Sequence, residues 1–151
     1  MQSSQVLVIG AGIGGLAAAL ALLRAGQRVR VIEQVSDLAE VGAGLSITPN
    51  AGRALLALGL GDVLPRIGST PSSGAIRHYA TGETLVTLAQ DQSREKYGVP
   101  LYHMHRADLH RALLAAVHAI APDCVITGKA LRTIELRDAG VVAELVDGTR
   151  L

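Results

Sequence analysis

Cysteine and aromatic residues are scarce in this chain of 151 residues, which has one Cys, three Tyr and neither Trp nor Phe. A single Cys excludes an internal disulfide and favours a reducing compartment such as the cytoplasm. That residue, Cys124, lies in the apolar run 124–126, and we expect a small buried hydrophobe there, not a nucleophile. Because 49% of the residues are hydrophobic but only 2% are aromatic, the core must consist mainly of Ala, Leu, Val and Ile.

An excess of either charge is also missing, since 14 Lys and Arg face 13 Asp and Glu. The basic residues are scattered, so the chain lacks the basic stripe that nucleic-acid binding needs. His103 and His105 could place two metal ligands on one face of a strand, with His110 further on, but no acidic or Cys partner completes a recognisable spacing. The sequence therefore predicts neither a nucleic-acid partner nor a metal site.

Glycine is plentiful, with 17 residues, and four of them lie between two apolar segments near the N-terminus. Residues 6–9 predict a strand, residues 16–23 a helix and residues 29–32 a second strand. The glycines of the intervening turn are Gly10, Gly12, Gly14 and Gly15. This order of strand, glycine-rich turn, helix and strand is typical of a dinucleotide-binding βαβ unit.

Each part of this unit has a physical role. Gly10 permits the tight bend, Gly12 lets the backbone approach a pyrophosphate, and Gly15 lets the helix pack closely on the strand. The amides at the helix N-terminus then face the phosphates. Glu33 follows Gly10 by 23 residues, at the end of the second strand, where a carboxylate accepts hydrogen bonds from ribose hydroxyls and disfavours the 2′-phosphate of NADP.

Residues 6–23 form an uncharged run of 18 residues, which is close to the length of a membrane span or a signal peptide. No Lys or Arg precedes the run, and its glycines gather at one turn. We therefore expect a soluble protein without a membrane segment.

The remaining sequence predicts an α/β fold in one domain over residues 1–151, with antiparallel hairpins inserted into a Rossmann-like framework. First we expect a loop over 34–44, a helix from Thr48 to Gly59 and a hairpin of 75–80 with 84–88. A polar segment over 90–98 and a helix ended by Pro122 follow. The last elements are a short strand over 124–127, which could rejoin the parallel sheet, and a hairpin of 131–136 with 141–146. Only Arg150 and Leu151 follow the turn at 147–149, so we expect a truncated terminus.

Three segments together resemble one family. They are Ile-Gly-Ala-Gly-Ile-Gly-Gly-Leu at 9–16, Val-Gly-Ala-Gly-Leu-Ser-Ile-Thr-Pro-Asn at 41–50 and His-Arg-Ala-Asp-Leu at 105–109. The chain resembles the N-terminal portion of the FAD-dependent aromatic hydroxylases, single-component flavoprotein monooxygenases related to salicylate and 4-hydroxybenzoate hydroxylases. Family members continue into a Gly-x-Asp-Gly stretch and a substrate domain that this sequence lacks.

The resemblance implies that FAD is the cofactor and assigns residues to it. The four glycines of the first turn would lie along the pyrophosphate and Glu33 on the adenosine ribose. Gly44, Leu45 and Ser46 would pass near the ribityl chain and the isoalloxazine ring. Arg106 would reach the phosphate and ribityl region, where a guanidinium offers a rigid fork of donors, and the backbone of Leu131 would meet adenine.

The resemblance also implies a reaction for the whole enzyme. NAD(P)H reduces FAD, O₂ is captured as a flavin C4a-hydroperoxide, and one oxygen atom is transferred to a small aromatic substrate. The resemblance also allows a homodimer. The cofactor carries the chemistry, so no residue of the chain is predicted to act as an acid, base or nucleophile, and the chain alone is predicted to be inactive. Tyr102 and His103 are the candidates for facing substrate, whereas Asp108 and Arg111 are interpreted as a surface ion pair.

Two alternatives stay open at this point. The βαβ unit alone would suit the nucleotide-binding domain of an NAD-dependent dehydrogenase, although a regular second half is missing. A non-catalytic nucleotide-binding module or gene fragment would also explain the absent Gly-x-Asp-Gly stretch.

Overall fold

The computed structural model describes residues 5–38, 43–90, 92–138 and 140–151. The described elements, in chain order, are β1 (Gln5–Ile9), α1 (Ile13–Arg24), β2 (Arg28–Ile32), β3 (Gly44–Ile47), α2 (Pro49–Ala57), α3 (Leu64–Ile67), β4 (Gly68–Ser69), β5 (Ser73–Arg77), β6 (Thr84–Ala89), α4 (Gln92–Tyr97), β7 (Tyr102–His105), α5 (Arg106–Ile120), β8 (Val125–Ile126), β9 (Leu131–Arg137) and β10 (Gly140–Leu145). They divide into two compact units, Met1–Glu40 with His110–Leu151, and Val41–Leu109.

A three-stranded parallel sheet in the order β1-β2-β8 forms the centre of the first unit. The buried side chains of α1 are Leu16, Ala19 and Leu20, and Val31 and Ile32 of β2 are buried as well. The predicted βαβ unit and the return of the short strand to the parallel sheet are both confirmed. Cys124, just before β8, is only 7% exposed, as expected of a small core residue.

The second predicted hairpin is also present in the first unit, as β9 paired with β10. After the turn at 147–149 the chain runs back along β10, since the amide and carbonyl of Leu151 each bond to Ala143 at 2.9 Å. Arg150 therefore forms an antiparallel bridge with Glu144 of β10.

An antiparallel sheet in the order β3-β7-β4 forms the second unit, together with the hairpin β5-β6. The predicted loop over 34–44 includes residues 39–42, which lie outside the described residues. Its last residue, Gly44, instead begins the strand β3, because residues 44–47 pair with Tyr102–His105. The polar segment over 90–98, for which no element was predicted, contains the helix α4, whose residues bury no side chain and so show no apolar periodicity. No helix within the described ranges is long and apolar enough to cross a membrane.

Candidate nucleotide-binding site

The turn between β1 and α1 requires glycine at two positions for reasons internal to the fold. Gly10 has a φ of +93°, which side chains rarely permit, and its amide donates to the Ile32 carbonyl at 2.8 Å. A Cβ on Gly15 would lie 1.9 Å from the Gly10 carbonyl oxygen. The helix can therefore pack on the turn only because residue 15 has no side chain.

Gly12 and Gly14 differ, since a Cβ at either would meet no atom of the described residues within 4 Å. Gly12 has φ −71° and ψ 178°, a conformation open to any residue. It precedes α1 as the N-cap without a side-chain cap, and the first turn of α1 has no acidic residue. The first amides of α1 thus border open space that Cβ atoms would fill, which suits a bound phosphate.

Glu33 lies immediately after β2 and is tied to the turn. The Ala11 amide donates to Oε2 of Glu33 at 2.8 Å, and the Val35 amide donates to Oε1 at 3.1 Å. The hydrogen bond from Ala11, followed by that from Val35, holds the pKa of the Glu33 carboxyl below its ordinary value of 4.5. Because each oxygen of a carboxylate can accept more than one hydrogen bond, the group can still accept bonds from a ribose diol.

A cleft of about 290 Å³ brings together three of the predicted residues, Gly10, Glu33 and Leu131. Leu131 is the first residue of β9 and is half-buried. The other residues of the cleft wall are Ile9, Ile32, Gln34 and Lys129. An adenosine moiety could occupy this cleft with its ribose next to the carboxylate.

Sequence reasoning missed Lys129, which lies on the wall of the same cleft. Its amide donates to the Glu33 carbonyl at 2.8 Å, and its Nζ forms a 2.5 Å ion pair with Asp147. This pairing holds the pKa of Asp147 well below its usual range. No local pattern marks Lys129, because its partners come from distant parts of the sequence.

His110 was also missed as part of this region. It is 1% exposed, and its Nε2 lies 2.7 Å from the Ala11 carbonyl oxygen. From the sequence, His110 was considered only as a further histidine beyond the possible metal ligands His103 and His105. Within the described ranges, no three His, Cys, Asp or Glu side chains gather as a metal site would require.

The remaining predicted residues lie in the second unit. Gly44, Leu45 and Ser46 are part of β3, with Gly44 opposite His105 and Ser46 opposite His103 on β7. Arg106 begins α5 directly after β7, and its amide donates to the Ala43 carbonyl at 3.1 Å. Pairing with β7 therefore places Arg106 next to the residue that precedes Gly44. Val41 and Gly42, the first two residues of the second segment quoted in the resemblance, lie outside the described residues.

Residues of this sheet border a second cleft, of about 380 Å³. Its lining residues are Gly44, Ile67, Ser69, His103, Met104 and His105. Tyr102 is 6% exposed and does not line this cleft; that it faces substrate stays a prediction. Alternate residues of a strand point to opposite faces, and Tyr102 and Met104 occupy the buried face of β7, whereas His103 is exposed.

Fold and site together define a dinucleotide-binding α/β protein. A family model described as an FAD binding domain matches residues 3–149. The chain therefore belongs to the FAD-binding domain family, of the kind found in flavoprotein aromatic monooxygenases. This membership confirms the resemblance drawn from the three sequence segments and favours FAD over the dehydrogenase alternative.

Curated relatives are similar over almost the whole chain. The chain is 39% identical to 6-hydroxynicotinate 3-monooxygenase of Pseudomonas fluorescens over 98% of its length, which is 38% of that protein. It is also 39% identical to 3-amino-4-hydroxybenzoate 2-monooxygenase PtmB3 of Streptomyces platensis, covering 96% of this chain and 36% of the relative. The chain thus spans little more than a third of the length of these relatives.

Solved structures share the fold. HpxO of Klebsiella pneumoniae, in complex with FAD and uric acid, superposes with a TM-score of 0.85 at 32% identity, covering 97% of this chain and 36% of that one. The tetrameric form of 2-methyl-3-hydroxypyridine-5-carboxylic acid oxygenase gives a TM-score of 0.83 at 26% identity, covering 100% and 38% respectively. The predicted α/β class with antiparallel insertions is confirmed.

Proposed function

We propose that residues 1–151 are the FAD-binding portion of an NAD(P)H-dependent monooxygenase that hydroxylates a small aromatic substrate with O₂. The observation that carries this proposal is the Glu33 carboxylate, which borders the same cleft as Gly10 and keeps acceptor capacity for a ribose diol. Family membership supports FAD as the dinucleotide.

The first unit would hold the adenosine and pyrophosphate end of FAD. Gly10 and Gly15 shape the turn, and Gly12 and Gly14 leave space beside the first amides of α1 for the phosphates. Glu33 would accept hydrogen bonds from the ribose hydroxyls. The backbone at Leu131, on the wall of the same cleft, would contact adenine.

Residues of the second unit would serve the ribityl and isoalloxazine end. Of the three predicted residues in β3, Gly44 and Ser46 have little side-chain bulk, whereas Leu45 has more. Arg106 would donate to the phosphate and ribityl oxygens through its guanidinium, a group that forms paired hydrogen bonds well. Its position is fixed by the register of β3 against β7.

Bound FAD would supply the redox chemistry and oxygen activation, while this chain would bind and orient it. The two curated relatives are monooxygenases of 6-hydroxynicotinate and 3-amino-4-hydroxybenzoate, which favours a small hydroxylated ring as substrate. We further propose a cytoplasmic protein that works as a homodimer with NAD(P)H as reductant. Hydroxylation would require the parts of the relatives that this chain does not span.

The test compares ligands that share different parts of FAD. The purified chain is titrated with FAD, FMN and NAD by calorimetry, because FMN lacks the adenosine ribose. We expect FAD to bind more tightly than the other two. Glu33→Gln should weaken FAD binding but not FMN binding, whereas the matched control Glu83→Gln, in the turn of an exposed hairpin, should change neither. Tighter binding of NAD than of FAD would instead support the dehydrogenase alternative.

A further inference from the structure

Ala11, between Gly10 and Gly12, is held from two sides by side chains distant in sequence. Its amide donates to Oε2 of Glu33 at 2.8 Å, and its carbonyl oxygen lies 2.7 Å from Nε2 of His110. Because a carbonyl oxygen can only accept, Nε2 carries the proton and donates. Both Ala11 and His110 are 1% exposed, so this contact is buried.

The direction of the His110 contact has a consequence for Gly12. The Ala11 carbonyl and the Gly12 amide belong to one planar peptide group, and in a trans peptide the C=O and N–H bonds point in opposite directions. A carbonyl drawn toward His110 therefore turns the Gly12 N–H away from His110. Beside Gly12, a Cβ would meet no described atom within 4 Å.

We propose that His110 is a positioning residue for the phosphate-binding turn, which fixes the Ala11–Gly12 peptide so that the Gly12 N–H faces the pyrophosphate. The FAD part of the proposal rests on the proposed function; the peptide orientation does not. His110 acts through the backbone and does not itself touch the cofactor.

Burial of an imidazole at this place supports a positional role. An apolar residue would satisfy helix packing, as Leu109 and Leu113 do on the same helix, and would avoid the cost of burying a polar ring. The ring is instead paired with one carbonyl of the turn. The charged residues on the wall of the neighbouring cleft are Glu33 and Lys129.

The test uses two amide side chains of different reach. In His110→Gln the side-chain nitrogen lies at about the distance of Nε2 from the backbone, so the donor is retained. In His110→Asn the nitrogen lies at about the distance of Nδ1, so the bond to Ala11 is lost. His118→Asn is the matched control, since His118 is exposed on the same helix. If His110→Asn does not fold, His110→Leu replaces it as the variant without a donor.

Three measurements are made on each variant of the whole chain: the backbone amide shifts of Ala11 and Gly12 by NMR, the pKa of Glu33, and the affinity for FAD. We expect the variant without a donor to move both amide signals, to raise the Glu33 pKa toward 4.5, and to weaken FAD binding by roughly two- to tenfold. His110→Gln should restore all three toward the unsubstituted values. His118→Asn should leave them unchanged.

The proposal would be overturned if the variant without a donor kept the amide shifts and the Glu33 pKa of the unsubstituted chain. Equal effects of His110→Gln and His110→Asn would also overturn it. These two readouts need no cofactor. If the unsubstituted chain bound no FAD while the amide shifts and the pKa moved as expected, FAD binding by this chain would be refuted but the positioning of the turn would stand.

Discussion

The Gly15 backbone lies against the carbonyl group of Gly10, so that a Cβ at residue 15 would be 1.9 Å from the carbonyl oxygen and 3.1 Å from its carbon. The neighbour Gly14 has no described atom within 4 Å of the same position. Two adjacent glycines at the start of one helix thus have different reasons to be glycine. One is required by packing, and the other only borders the space proposed for phosphate.

Substitution by Ala separates these roles in the folded chain. Gly15→Ala should lower the free energy of unfolding by about 1–3 kcal/mol, because backbone rather than a flexible side chain must move. Gly14→Ala should leave it unchanged or raise it by up to about 1 kcal/mol, since Ala favours the helix. Urea denaturation of both variants without ligand checks the difference, and equal losses would contradict the close contact.

Gly12→Ala should weaken FAD binding without unfolding the protein. Its φ of −71° suits Ala, and exchange of Gly for Ala at an N-cap costs no more than about 1 kcal/mol. The added methyl group would occupy space proposed for the pyrophosphate. Calorimetric titration with FAD, together with urea denaturation without FAD, measures the two effects; unchanged FAD affinity would show that the pyrophosphate lies elsewhere.

Protonation of Glu33 should destabilise the folded chain in acid. Its pKa is lower in the folded state than the ordinary value of 4.5, so its contribution is fully present above that value and is lost as the pH falls through the folded pKa. The free energy of unfolding of Glu33→Gln should therefore fall less between pH 6 and pH 3 than that of the unsubstituted chain. Urea titrations at a series of pH values test this, and parallel pH profiles would count against it.

The sequence could predict the parts of the site that depend on neighbours along the chain. The glycine turn and the position of Glu33 follow from local spacing, and both are present at the predicted residues. The strand at 44–47 could not be predicted in this way, because it depends on pairing with Tyr102–His105. The contact of His110 with Ala11 was missed for the same reason, since the two residues are 99 positions apart.

Packing of the second unit can be tested at Gly52 of α2. A Cβ there would lie 2.7 Å from Cγ1 of Val99, a buried residue with a stiff branched side chain. Gly52→Ala should lower the free energy of unfolding by about 1–3 kcal/mol. In the double variant with Val99→Ala, the added methyl group should fit into the space that valine leaves. The combined loss in urea denaturation should then be smaller than the sum of the two single losses, whereas a simple sum would contradict the contact.

Cys124 should react slowly in the folded chain. The residue is 7% exposed, and burial raises the pKa of its thiol above the ordinary value of 9.0, which lowers the fraction of reactive thiolate. Its backbone is also bound on both sides, because its amide donates to Ala121 at 3.2 Å and its carbonyl accepts from Val31 at 2.7 Å. Reaction with a chromogenic disulfide reagent at pH 8 should therefore release one equivalent slowly from the native chain and rapidly in urea. Since the chain has a single Cys, the signal reports this residue alone, and equal rates in the two conditions would show that residue 124 is accessible in the folded state.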